Sequence, residues 1–264
     1  MENMYKEALN TTDTNIYVAV WGNDSINTGS FDSPFATIEK AIAAITSSKF
    51  RVILFPGSYT MTAHTDITVD GTAIYALVPG SVDIDGTACL LSCFKTVFGA
   101  SSGTKDFTFR GINLDHGDVV GIQVDNASAT AKVNLYLDDC DFEGAGVSLD
   151  IDRAGATGQA IRVYASRCYF EGGINMVVED HGDRLRLKNC QLDANLVTDG
   201  GAYTAEILLE SCIIPVNGIT GGNAAQIVYF SGTTTFTSAE PPVYAGAIAT
   251  DVETQSYVIC DHEA

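Results

Sequence analysis

The chain has 264 residues, with 14 Lys and Arg against 33 Asp and Glu, a formal net charge of −19, and 46% hydrophobic residues. That balance excludes a protein that neutralises phosphates with clustered cations, and one held on an anionic membrane surface. No run of about 18 apolar residues occurs, so no membrane span is expected, and the apolar content suffices for one sizeable core.

The N-terminal stretch from Met1 to Leu9 has neither a basic start nor an apolar segment. No signal peptide is expected, which points to synthesis and assembly in a cytoplasm. Residues 1–15 are polar and read as an arm. Ile16–Val20 follows as a strand by composition, then residues 21–30 form a loop rich in turn formers. Ser33 and Pro34 offer an N-cap and a first-turn proline. A capping helix is expected near 34–46, with Phe35, Ile38, Ile42 and Ile45 on one face. Arg51–Phe55 is a strand ended by Pro56 and Gly57.

The middle of the chain carries one pattern five times: apolar, any, apolar, any, any, Cys or Ile, any, apolar. The repeats begin at Phe107, Leu135, Val163, Leu185 and Ile207. Their sixth position falls at Ile112, Cys140, Cys168, Cys190 and Cys212, in steps of 28, 28, 22 and 22. Self-similarity on this scale marks a stacked array, and the period of two makes the repeated element a strand. The fold expected is all-β: a single right-handed parallel β-helix of about 8–10 rungs. Residues 16–225 form its body, and 226–264 supply the last rungs and oligomer contacts. In such a stack the sixth position repeats about every 4.8 Å, so the four cysteines form an inward thiol column with Ile112 one rung earlier. Cys89, Cys93 and Cys260 lie outside it. Rungs before residue 105 are harder to register. Val82–Ile84 starts one, which puts Thr87 in the cysteine slot.

Carboxylates are the first place to seek chemistry. The densest group is Asp138, Asp139 and Asp141. The fourth repeat position reads Arg110, Asp138, Ser166, Lys188, Glu210, and the fifth reads Gly111, Asp139, Arg167, Asn189, Ser211. Cross-strand ion pairs between Asp138 and Arg110, Asp139 and Arg167, and Lys188 and Glu210 account for most of that charge. A tetrapeptide recurs at Asp115-His116-Gly117-Asp118 and at Asp180-His181-Gly182-Asp183. Asp and His are metal ligands and acid–base groups, but a Gly-containing turn opened by Asp explains each motif without an ion. No cofactor motif is present.

The segments Ile16–Val18, Gly22–Asp24, Ser33–Ile42 and Leu54–Tyr59 resemble the opening of pectin-lyase-like right-handed β-helix proteins. The resemblance implies a short helix capping the first rung. That group includes polysaccharide lyases, glycoside hydrolases, phage tailspikes and virion decoration proteins, so it leaves activity open. Its pectate lyases carry a calcium-binding Asp cluster with a catalytic Arg or Lys. Here only Arg162, Arg167, Arg184, Arg186 and Lys188 are near in register. Of the polygalacturonase motifs only the paired Asp138-Asp139 is present. The main expectation is a non-enzymatic virion component: a capsid decoration (cement) protein, homotrimeric, on a phage major capsid protein. The alternatives are a tailspike or fibre that binds or cleaves host polysaccharide, and a free polysaccharide lyase or glycoside hydrolase.

Overall fold

A computed structural model describes residues 14–46, 50–97, 103–125, 131–152, 160–178, 182–200, 206–215, 219–221 and 227–236, with the backbone of two further strands, Ala247–Thr250 and Val258–Ile259. Most of the arm 1–15, Asp180, His181, Cys260 and much of 226–264 lie outside these residues.

The repeat folds as its alternation requires. Each rung of the middle of the chain runs through three short strands, as in Ala131–Asp138, Asp141–Glu143 and Val147–Asp152, and the chain then climbs to the next rung. Among the described residues, stacking produces three parallel sheets of ten, nine and seven strands, here sheets 1, 2 and 3. The molecule is a right-handed parallel β-helix. The first repeat position runs Phe107, Leu135, Val163, Leu185, Ile207 across sheet 1 in direct register. The eighth runs Leu114, Phe142, Phe170, Leu192, Ile214 down sheet 2. All ten are at most 1% exposed. Phe142 and Phe170 stack with ring centroids 5.2 Å apart. Each such side chain contributes about 1.5–3 kcal/mol on leaving water, and every rung repeats the gain.

Between sheets 1 and 2 the chain turns on a single residue per rung. Gly111, Asp139, Arg167, Asn189, Ser211 and Gly232 all lie in the left-handed region, with φ between 52° and 68°. Their N–H groups donate to carbonyls on the next rung, for example Asp139 to Ser166 at 2.9 Å and Arg167 to Lys188 at 2.9 Å. Those bonds hold four non-glycine residues in a conformation they otherwise avoid. Directly after the turn the sixth-position side chains enter the core. Cys140, Cys168, Cys190 and Cys212 are at most 2% exposed. The first three thiols donate to the carbonyl two residues earlier at 3.3–3.4 Å, and Cys212 reaches Leu187 at 3.4 Å and Glu210 at 3.5 Å. Thiol–thiol hydrogen bonding and burial hold Cys168 and Cys212 well above the usual thiol range.

Two sequence expectations are corrected here. Val82, not Thr87, occupies the cysteine slot of its rung, because Asp83 pairs with Asn113 and so places Val82 beside Ile112. At the other end Thr234 takes the slot, and its hydroxyl donates to Leu209 O at 3.2 Å. The helix, α1, is also shorter than 34–46: it spans Ile38–Ala43 with Thr37 as N-cap. Phe35 is held as a bridge to the first strand, its N–H on Tyr17 O and its carbonyl on Ala19 N. Asp24 then accepts from Ala36 N and the Thr37 hydroxyl, fixing where the helix starts. Helix α1 buries Ile38, Ala41 and Ile42 against the first rungs.

Candidate functional site

The left-handed corner shapes the outer surface beside it. A groove of about 580 Å³ follows the corner between sheets 1 and 2. Its lining comes from six successive rungs, beginning at Pro79 and Gly80 and ending at Ser211 and Ile213. At about 4.8 Å per rung this is roughly 24 Å of groove parallel to the helix axis. One wall is the corner itself: Asp139, Arg167, Asn189, Ser211. The floor is the outward column of sheet 2, in the order Asn113, Asp141, Tyr169, Gln191, Ile213.

The three clustered aspartates separate. Asp138 points from sheet 1 and is held by two cations, with Arg110 Nε at 3.3 Å and Arg167 Nη2 at 2.6 Å. The expected pairing of Asp139 with Arg167 is therefore corrected. Both are corner residues, so the cross-strand rule for strand neighbours does not apply to them. Asp139 and Asp141 line the groove. Burial, reinforced by Glu143 and Glu171, pushes the Asp141 carboxyl above the usual carboxylate range, and its buried Oδ1 has no hydrogen-bond partner among the described residues. Tyr169 donates its hydroxyl to Asp193 Oδ2 at 2.6 Å, which raises the phenol to about 12. Gln191 Nε2 donates to the other oxygen of Asp193 at 2.9 Å.

One charged feature escaped the sequence reading. The residue after the last apolar position is acidic in the first four of the five repeats, and sheet 2 stacks these residues, with Asp85 of the preceding rung, into an exposed ladder that ends before Pro215. Asp85, Asp115 and Glu143 are direct neighbours, and Glu171 and Asp193 continue the column through backbone bonds to Phe142 and Phe170. Among the described residues none of the five pairs with Lys or Arg. On sheet 1, by contrast, Arg184 pairs with Glu206, and Arg186 and Lys188 converge on Glu210 at 3.2 and 2.6 Å. Arg162 lies between Asn134 and Arg184 in the register of the same face.

The Asp-His-Gly-Asp motifs sit elsewhere. Asp115 accepts from Gly117 N at 3.0 Å, closing a turn. His116 is fully buried, with Nδ1 on the Val119 carbonyl at 2.9 Å and Nε2 on the Ser148 hydroxyl at 3.3 Å. Burial lowers its pKa despite the bond to Val119. Asp118 lies in the same turn. Asp183 is 3% exposed and accepts from Ile161 N at 2.8 Å, one rung away. Its motif partners Asp180 and His181 lie outside the described residues. Among the described residues no group of three or more His, Cys, Asp or Glu is placed to hold a metal ion, and no helix is long and apolar enough to cross a membrane.

No family model matches the chain, and no curated protein matches it. Solved structures do. A pectin methylesterase from Aspergillus niger superposes with a TM-score of 0.52 at 15% identity, covering 96% of this chain and 92% of that one. A rhamnogalacturonan lyase gives 0.49 at 12%, covering 94% and 85%, and a pectate lyase gives 0.42 at 14%, covering 94% and 80%. At such identities the likeness is one of fold: this chain has the pectin-lyase-like parallel β-helix, and these structural neighbours are carbohydrate-active enzymes.

Proposed function

We propose that the protein binds an extended, uncharged polysaccharide lengthwise in the corner groove. The observation that carries this reading is the continuity of a polar groove across six rungs. A rung spacing of about 4.8 Å is close to the length of one sugar residue, so successive sugars meet successive rungs. Asn113, Asn189, Gln191 and Ser211 present amides and a hydroxyl to sugar hydroxyls, and Tyr169 and Arg167 supply planar faces. The acidic ladder beside the floor disfavours uronate-rich or sulfated chains, because like charges there would meet without a counter-cation.

Asp141 is the groove carboxyl held above its usual range. That property suits a proton donor to a glycosidic oxygen. A hydrolytic version of the site would pair it with a second carboxylate, and Asp139 is the candidate in the same groove.

A glycan panel of linear neutral, amino and uronic-acid polymers tests the reading. Retention on neutral polymers is expected, weakened about tenfold by Tyr169→Ala. Retention confined to acidic polymers, or unaltered by Tyr169→Ala and Arg167→Ala alike, would overturn it. The trimeric capsid-decoration reading rests on residues 1–15 and 226–264, which lie largely outside the described residues. It is a separate proposal, tested by native mass in light scattering.

A further inference from the structure

Two cysteines outside the thiol column meet at one turn. Gly86 to Cys89 closes tightly, with Cys89 N–H donating to the Gly86 carbonyl at 2.9 Å. The Cys93 thiol approaches the same carbonyl at 3.7 Å. A Cβ at Gly86 would lie only 2.2 Å from Cys93 Sγ, so the glycine is what admits the thiol. The two residues thus converge on the Gly86 carbonyl, and they are 3% and 0% exposed. Between them in the chain stand Leu90 and Leu91, 88% and 71% exposed. Cys89 therefore lies directly beneath a solvent-facing tip, whereas Cys93 belongs to the strand Ser92–Val97 of sheet 3.

This geometry differs from that of the column. Cys140, Cys168, Cys190 and Cys212 each sit on a different rung, just inside a corner hydrogen-bonded to both neighbouring rungs. Joining two of them would tie rung to rung inside the packed core. Cys89 and Cys93 lie on one rung, four residues apart where a turn meets the strand Ser92–Val97, and joining them closes only the short segment that carries the leucines.

We propose that Cys89 and Cys93 are a thiol–disulfide exchange site that closes reversibly into an intrachain disulfide and fixes the Leu90–Leu91 tip. The oxidant is a small-molecule disulfide. The Cys89 thiolate attacks one of its sulfurs, releasing one thiol and leaving a mixed disulfide on Cys89. The Cys93 thiolate then attacks the Cys89 sulfur, expelling the second thiol. In sum two protein thiols are oxidised and one small disulfide is reduced to two thiols. Burial holds both protein thiols above the usual range, with Glu39 and Asp85 adding to the effect at Cys89. Exchange therefore accelerates as pH rises and the thiolate fraction grows.

The experiment uses the intact protein incubated with excess oxidised glutathione at about pH 8, where exchange is favoured, then denatured in iodoacetamide and mapped by mass spectrometry. The peptide spanning residues 89–93 should lose two hydrogens and resist alkylation until dithiothreitol is added, while the column cysteines are alkylated. Chymotryptic cleavage at Leu90 and Leu91 should be lost in the oxidised form. In Cys93→Ser, glutathione should remain attached to Cys89. Alkylation of both Cys89 and Cys93 in the wild type would overturn the proposal, as would glutathione persisting on Cys89 or a bridge to a column cysteine.

Discussion

Arg167 reaches back across one rung to place Nη2 2.6 Å from Asp138 Oδ1, and Arg110 meets the other oxygen of that carboxylate at 3.3 Å. One aspartate thus ties three rungs together on the outer face of sheet 1, and its sequence neighbour Asp139 faces the groove instead. Adjacent identical residues have different work because a left-handed turn lies between their directions.

That division can be measured. The side chains in the Asp138 pairs are 29–53% exposed, so Asp138→Ala should cost no more than about 1 kcal/mol in denaturant unfolding and leave glycan binding in place. Asp139→Asn should keep its unfolding midpoint and lose glycan affinity. A reversal of the two phenotypes would place the ion pair, rather than the corner, at the binding site.

The corner itself constrains sequence. Ser211 has φ 54°, a conformation that a β-branched residue tolerates poorly. Ser211→Val should destabilise by about 1–2 kcal/mol, whereas Ser211→Gly should match or exceed the wild type, because glycine reaches that φ without steric cost. Equal unfolding curves for Val and Gly would show that the turn relaxes freely.

In the thiol column, Cys168→Ala removes one buried sulfur with thiol neighbours on both sides. A loss of about 1 kcal/mol is expected, in line with other small truncations in packed cores. An unaltered melting temperature would mean that the column closes around the gap.

His116 gives the fold a pH dependence whose sign is fixed by burial. Burial favours the neutral imidazole and holds its pKa below the ordinary value, against the opposing pull of the Nδ1 bond to the Val119 carbonyl. The unfolded chain binds the proton more readily, so stability is full above about pH 6.5 and falls as pH drops through the window below it. His116→Gln should flatten the dependence of unfolding free energy on pH across that window. An identical slope in both proteins would contradict the assignment.

The core was legible because alternation is a property of side-chain type: Phe107, Leu135, Val163, Leu185 and Ile207 are all apolar, and the period alone places them in register. The corner was not, since Gly111, Asp139, Arg167, Asn189 and Ser211 share a backbone angle and no side-chain chemistry. Reading them as strand residues produced the mistaken pairing of Asp139 with Arg167. The acidic ladder could have been found, because Asp115, Glu143, Glu171 and Asp193 each follow the last apolar position of a repeat. It was missed because the repeat was read only as far as its core. The groove depends on both features, the corner for its wall and the column beside the ladder for its floor, so its existence followed only from the folded geometry.

The measurement that bears most directly on the proposed function is the affinity of the full chain for linear neutral oligosaccharides of increasing length, by calorimetric titration. A groove crossing six rungs predicts affinity that climbs with each added sugar and levels off near six units, with Tyr169→Ala lowering the whole series. Affinity independent of length, or no binding to any linear glycan, would contradict it.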